Sequence, residues 1–132
     1  MRVPTCFVLL LCVLTCGGCG KKKKSTAELL EDLKGSEERD RLIAVRLLPL
    51  RQEDTALIIP ALMEALKDKE NDIRLSAAIG LGSFGEQARE AIPALQAAQS
   101  DGDARVRKAA GIALSRIDPQ RFPDQSKRRP VP

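Results

Sequence analysis

Apolar residues recur at the spacing of an α-helix through the middle of the chain. One apolar stripe begins at Ile59 and consists of Ile59, Leu62 and Leu66. A second stripe follows the polar turn KDKEND and consists of Ile73, Ala77, Leu81 and Phe84. Two amphipathic helices joined by a turn are therefore predicted in this stretch. Because no segment shows sustained alternation of apolar and polar residues, the chain is predicted to be all-α.

The same pattern returns after 33 residues. IPALMEALKDKENDIRLSAAIGLGSFG, from Ile59, aligns with IPALQAAQSDGDARVRKAAGIALSRID, from Ile92, and a further step back aligns AELLEDLKGSEERDRLIAVRLLPL, from Ala27. A repeat of this length indicates stacked units, since one helix pair cannot bury its apolar face alone. The predicted repeat domain is 26–118, with units 26–58, 59–91 and 92–118. Its predicted core positions include Leu62, Leu81, Leu95 and Leu114.

Residues that start or end helices recur as well. Pro60 and Pro93 are predicted near helix starts, where a missing N–H does no harm. Asp72 and Asp103 are predicted to cap the second helix of their units, and Gly85 to end one. In the first unit Asp40 and Arg51 replace apolar residues of the other units, which is typical of a cap on the array.

The repeated segments resemble the HEAT family, in particular the short HEAT-like repeats related to those of phycobilisome lyases. The resemblance implies an α-solenoid of about three HEAT-like helix pairs. It also implies a structural ladder in which an Asp of the inter-helix turn pairs with an Arg after the next aliphatic residue. The matching residues are Asp68, Arg74, Asp101 and Arg107. Arg41 matches in the first unit, but Gly35 replaces the Asp, so the ladder is expected to be incomplete there.

Two rows of residues on the second helices lie off the main apolar stripe and recur with the repeat. The rows are Leu42, Leu75 and Lys108, and Arg46, Ile79 and Ile112. Stacking would align them into one strip with an apolar centre and positive ends, on the helices that line the concave side of HEAT arrays. Such a strip suits an apolar helix or an acidic segment of a partner protein. The simpler interpretation, which we expect from the sequence, is that these side chains pack against neighbouring second helices.

The N-terminal segment has a different pattern. Arg2 precedes a continuous apolar run, FVLLLCVLTC, from Phe7 to Cys16, and the small residues GGCG follow. The run is too short to cross a bilayer as a helix and has the length of a signal-peptide core. The segment resembles a bacterial lipoprotein signal, in which a cysteine after small residues becomes N-terminal and lipid-modified. Cys19 is the matching residue, although Cys16 stands where that family usually has an aliphatic residue.

This resemblance implies a signal peptide over 1–18 and a lipidated basic tether over 19–25. Lys21 to Lys24 would then lie close to anionic headgroups, with about 1 kcal/mol of attraction for each lysine. The alternative is an uncleaved signal anchor with its C-terminal side in the cytoplasm, because these lysines outnumber Arg2. The expected location is the bacterial cell envelope, with the chain exported and held at a membrane.

Composition and charge remove several function classes. The chain has no histidine, and its four cysteines all lie in the N-terminal segment, so a metal site at Cys16 and Cys19 would lack further ligands. The net charge of +4 comes from the two ends, including a Pro-rich tail predicted to be disordered over 119–132. The repeat region is acidic and poor in aromatic residues, which does not suit nucleic acid. We therefore predict no catalytic residue, metal, cofactor, nucleic acid or small-molecule substrate.

The predicted function is a non-catalytic protein–protein interaction or scaffold module at a bacterial membrane surface, with a protein partner of unknown identity. The alternative is an accessory subunit of an enzyme complex, such as a bilin-lyase-like assembly.

The lipoprotein interpretation makes a direct prediction about the mature N-terminus. The wild-type chain should begin at an acylated Cys19, and Cys19→Ala should leave an unprocessed or soluble product because no acceptor thiol remains. Mass spectrometry of the membrane-extracted protein measures both. An intact Met1 without acyl mass would contradict lipidation and favour the uncleaved anchor.

Overall fold

A computed structural model describes residues 23–123, all helices and connections. The predicted signal peptide, Cys19 and the end of the predicted tail lie outside the described residues. The six α-helices are α1 (Thr26–Lys34), α2 (Glu38–Leu47), α3 (Thr55–Ala65), α4 (Asn71–Ser83), α5 (Ile92–Ala98) and α6 (Ala104–Ile117). Short 3-10 segments lie at Leu48–Leu50, Gln52–Asp54 and Gly85–Ala91. The predicted all-α solenoid of about three helix pairs is confirmed.

The helices pair in chain order, and the pairs stack. Helix α1 packs on α2, α3 on α4, and α5 on α6. The second helices form one layer, in which α4 lies between α2 and α6. A single apolar core runs through all three pairs, and the predicted core residues are completely buried: Leu62, Leu81, Leu95 and Leu114.

Local side-chain chemistry sets several helix ends. Ser25 caps α1 in a reciprocal box, since its hydroxyl accepts from the Glu28 N–H while the Glu28 carboxylate accepts from the Ser25 N–H. Asp103 caps α6 by accepting from the Arg105 N–H at 2.7 Å. Beyond the end of α4, Gly85 takes the left-handed conformation with a φ of 55°.

Two sequence expectations about helix starts were wrong. Pro60 lies inside α3, because the apolar residues before it extend the helix back to Thr55, four residues ahead of the predicted unit. Asp72 lies in the first turn of α4, whose N-cap is Glu70. The Asp72 carboxylate instead pairs with Arg105 of the next unit, with 3.1 Å between Oδ1 and Nη1.

Glycine allows α4 to approach closely both α6 and the 3-10 segment that follows α2. A Cβ added to Gly80 would lie 2.7 Å from Cγ of Pro49, and one added to Gly82 would lie 3.0 Å from Cα of Ala113. Both contacts are shorter than van der Waals separation. The packing of α4 between its neighbours therefore depends on two residues without side chains.

This close approach separates two otherwise similar substitutions. Gly111→Ala in α6 should stabilise the protein by about 0.5–1 kcal/mol, because alanine is the better helix former and the nearest atom to the new Cβ is 3.8 Å away. Gly80→Ala should instead destabilise it by about 1–3 kcal/mol, since the Pro49 ring is in the way. Urea denaturation followed by circular dichroism measures both. A Gly80→Ala protein as stable as Gly111→Ala would contradict the tight contact between α4 and Pro49.

Candidate functional site

An arginine–aspartate ladder joins consecutive units at the turns between their helices. Arg74 of α4 donates from Nε to Asp101 Oδ2 at 2.8 Å and from Nη2 to Asp101 Oδ1 at 2.9 Å. Its remaining donors reach the backbone oxygens of Asp68 and Lys69 and the side chain of Asn71. All five N–H groups of this mostly buried guanidinium are therefore satisfied, two of them by a carboxylate of the next unit.

The same arrangement occurs one unit earlier, which corrects the expected gap. Arg41, only 6% exposed, donates to both oxygens of Asp68, at 2.8 and 3.3 Å. Gly35 supplies a backbone oxygen to Arg41, as does Ser36. Each Arg takes its carboxylate from the following unit. Within residues 23–123 there is therefore no Arg that an Asp at position 35 would pair with, and Gly35 leaves no gap in the ladder.

The ladder ends instead in the third unit. Arg107 donates only to the backbone oxygens of Asp101 and Gly102, at 2.8 and 3.1 Å, and has no carboxylate partner within residues 23–123. The sequence prediction named Asp68, Arg74, Asp101 and Arg107 as the ladder and left Arg41 out. Sequence spacing had given no sign of which unit each Arg reaches.

Each ladder carboxylate also shapes the turn that carries it. Asp68 accepts the backbone N–H of Glu70 at 2.9 Å, and Asp101 accepts that of Asp103 at 2.8 Å. The Arg74 hydrogen bond, opposed by partial burial, lowers the pKa of Asp101. Burial would raise the pKa of Asp68, but hydrogen bonds from Arg41 and the Glu70 N–H lower it overall. Because every buried polar side-chain atom within 23–123 has a partner, the two paired rungs, Arg41–Asp68 and Arg74–Asp101, are structural.

The second predicted site consists of two rows of residues on α2, α4 and α6. We call it the second-helix strip; its members are Leu42, Arg46, Leu75, Ile79, Lys108 and Ile112. Ile79 is 53% exposed and Ile112 39% exposed, while Leu42 and Leu75 are half-buried against the core. The structure therefore favours a surface strip over complete packing between neighbouring helices. Leu42 and Leu75 of the strip also pack against the core.

Two grooves flank the centre of the strip. The groove between α4 and α6 has a volume of about 370 Å³, and the groove between α2 and α4 about 530 Å³. Leu75 and Ile79 line both grooves and form the ridge between them. The cations of the linings are Arg46, Arg105, Lys108 and Arg116, and neither lining contains a carboxylate.

Two cations of this lining were not among the residues predicted from the sequence. Arg105 and Arg116 were not proposed, although they lie on the same face of α6 as Lys108 and Ile112 at intervals of three or four residues. This helical spacing is the signal that would have included them.

Within the described part of the chain, no group of three or more acidic or cysteine side chains is placed to hold a metal ion. Among the same residues, no helix combines the length and apolarity needed to span a bilayer.

Comparisons with known proteins agree with the fold. A family model described as HEAT repeats matches residues 26–115, which is more than half of the chain, so the chain belongs to the HEAT-repeat family. Eleven chains of solved structures match as well. One comes from the complex of CpcE and CpcF of phycocyanin lyase from Nostoc sp. PCC7120, with 25% identity and a TM-score of 0.66. The alignment covers 74% of this chain but only 39% of that one. No curated protein matches the sequence.

The ladder predicts an acid-sensitive contribution to stability. The pKa of Asp101 is lower in the native state than in the unfolded chain, so its ionised form stabilises the native state at neutral pH, and this contribution is lost as pH falls through the native pKa. Asp101→Asn should cost about 3 kcal/mol near neutral pH, because it leaves a mostly buried guanidinium without its carboxylate. The difference from wild type should begin to shrink below a pH of about 4, where an aspartate of the unfolded chain becomes protonated. It should be lost as pH falls further, through the lower native pKa of Asp101. Denaturant unfolding at several pH values measures this.

The exposed pair Glu64–Lys67 provides the control. Its side chains are 75% and 70% exposed, so Glu64→Gln should change stability by less than about 1 kcal/mol. An Asp101→Asn protein as stable as Glu64→Gln at neutral pH would show that the ladder does not hold the units together.

Proposed function

We propose that this HEAT-repeat protein is a non-catalytic interaction module, held at a bacterial membrane surface by a lipid on Cys19, which binds a partner polypeptide on the second-helix strip. The observation that carries the proposal is the pair of grooves around Ile79. Large apolar side chains lie exposed at the centre, cations surround them, and carboxylates are missing from both linings.

The chemistry of these grooves selects an acidic amphipathic helix as the partner segment. An apolar stripe on such a helix would cover Leu75, Ile79 and Ile112, which water now contacts in part. Acidic residues beside the stripe would meet Arg46 at one end and Lys108 at the other. The charge of the strip is opposite to that of the repeat region as a whole, where Asp and Glu outnumber Lys and Arg. This contrast supports the idea that charge complementarity orients the partner helix on the strip.

The size of the strip suits a short helix. Packed helices lie about 10 Å apart, so a path across α2, α4 and α6 spans about 20 Å. A helix of about 13 residues has this length. It would cross the three second helices and place one apolar side chain in each groove, on either side of the ridge.

The membrane part of the proposal is supported by the sequence of the N-terminal segment. The apolar run from Phe7 to Cys16, the small residues before Cys19 and the lysines after it form a consistent export and lipidation signal. Lys23 and Lys24, the described end of the tether, are exposed. We place the protein in the bacterial cell envelope, anchored at a membrane and exported.

A second candidate function is an accessory subunit of an enzyme complex, such as a bilin-lyase-like assembly. It is favoured by the likeness to a chain from the phycocyanin lyase complex of CpcE and CpcF. The chain spans 39% of that neighbour, so it would supply only part of the binding surface, and a partner would supply the chemistry.

The strip can be tested by replacing its two most exposed apolar residues with acidic ones. Ile79→Glu combined with Ile112→Glu should leave the thermal melt almost unchanged, because both side chains are substantially exposed. The same double substitution should abolish co-purification of the partner, since it buries two like charges against an acidic helix. Pull-down from membranes of the native organism, followed by mass spectrometry, measures the binding.

Leu57→Glu is the matched control, because Leu57 is 61% exposed and lines neither groove. This variant should keep its partner. A double variant that stays folded and keeps every partner would eliminate the strip as a binding site. Recovery of a phycobiliprotein or of a second lyase-type chain with the wild type would support the second candidate function over the first.

A further inference from the structure

The first unit exposes an apolar face at the N-terminal end of the array. Ile43 and Leu47 of α2 are 49% and 40% exposed, and Leu50, in the turn after α2, is 72% exposed. These residues follow one another at helical spacing along one side of α2. We call this surface the end face.

Equivalent positions in the later units explain why the end face is unusual. Leu47 corresponds to Gly80 in α4 and Ala113 in α6. Gly80 lies close to Pro49, in the 3-10 segment after α2, and Ala113 lies close to Gly82 of α4. The residue at this position is small in α4 and α6, where the preceding unit packs against it. It is large and apolar in α2, where no helix of the described residues packs. A solenoid cap is normally polar on this side. The polar residues that suggested a cap, Asp40 and Arg51, leave this row of α2 apolar.

The chain enters the array at this face. Lys23, Lys24 and Arg51 line a depression of about 390 Å³ together with Leu47 and Leu50. The entry point is held in place, because Arg51 donates to the Lys24 backbone oxygen at 2.7 Å and the Lys24 ammonium contacts Asp32 at 2.6 Å. A lipid on Cys19 would be four residues from Lys23, a span of at most about 14 Å.

Charge around the end face is mainly basic. Arg39 and Arg46 are exposed on α2, one turn before and one turn after Ile43, and neither makes an ion pair with any residue in 23–123. Lys23 adds a third exposed cation. On the acidic side, Glu53 lies in the depression and Asp40 lies near Lys24.

We infer that the end face lies against the anionic leaflet that holds the anchor, with Leu47 and Leu50 among the lipid headgroups. This inference rests on the proposed lipidation of Cys19. Exposed apolar side chains flanked by Lys and Arg are typical of surfaces that bind the membrane interface. The short tether keeps the end face within reach of the bilayer, which favours lipid over a second copy of the chain. The array then stands on its first unit, with α6 farthest from the membrane.

Photo-crosslinking in the full-length protein tests the contact directly. The photoreactive residue p-benzoylphenylalanine replaces Leu50, which is the most exposed member of the end face, so folding should be unaffected. It replaces Ile112 in the matched control, which is apolar and exposed but lies in the third unit. After irradiation of cell membranes, position 50 should yield phospholipid adducts by mass spectrometry and position 112 should yield none.

Purified protein reconstituted into vesicles tests the role of charge. Vesicles of phosphatidylcholine with phosphatidylglycerol should give more lipid adduct at position 50 than vesicles of phosphatidylcholine alone. Arg46→Glu should lower the yield in the anionic vesicles by about fivefold or more, since each cation near the surface contributes about this factor in partition. Equal yields in both vesicle types would overturn the electrostatic part of the inference.

The outcomes separate this inference from the anchor on which it rests. An acylated Cys19 with no lipid adduct at position 50 would overturn the end-face contact and leave the anchor intact. Lipid adducts at position 50 in a protein without acylation would overturn the anchor and leave the end-face contact intact. Adducts to a second copy or to the apolar run of an unprocessed chain would overturn the inference in favour of that occupant. Leu50 also lines the groove between α2 and α4, so adducts to another protein would overturn the inference when lipid adducts are absent.

Discussion

A guanidinium removed from water must find a carboxylate and enough acceptors for all its donors, and in this protein no single repeat unit provides them. Arg41 and Arg74 each find backbone oxygens in their own inter-helix turn and a carboxylate only in the next unit. A unit that drifts out of register would leave a mostly buried charge unpaired, which is costly. The stacking of three helix pairs therefore depends on this requirement as well as on apolar burial.

The apolar core and the ladder make different contributions to the packing: the core stabilises it, and the ladder fixes the register of the units. Leucines such as Leu81 provide most of the favourable free energy, but leucine contacts tolerate sliding. Hydrogen bonds with defined partners do not tolerate it. Glycines at positions 80 and 82 then allow the second helices to close on each other. Together these features fix the spacing of α2, α4 and α6, and this spacing determines the width of the grooves beside Ile79.

Much of the fold was predictable because apolar spacing and a 33-residue repeat are properties of the sequence itself. The fully buried Leu62 and Leu95 follow from that spacing alone. The direction of the ladder did not follow, because Arg74 is near Asp68 in sequence but pairs with Asp101 through the stacking. The start of α3 was misplaced because proline is favoured in the first turn of a helix and disfavoured in its interior, whereas here Pro60 lies inside α3. The end face was missed for a related reason. Leu47 has the same pattern as a core residue, and it is exposed because residues 23–123 place no helix over it.

The ladder has a direction, and this gives the two ends of the array different capacities for growth. Arg107 presents a guanidinium for which residues 23–123 contain no carboxylate, so a duplicated unit joined after it would bring an Asp to a waiting partner. At the other end Gly35 has no side chain to receive an Arg from a unit placed ahead of it. Gene duplication or protein design could thus lengthen the ladder at its C-terminal end with the arginine that is already there. Lengthening at the N-terminal end would need a new carboxylate and the removal of large side chains from α2.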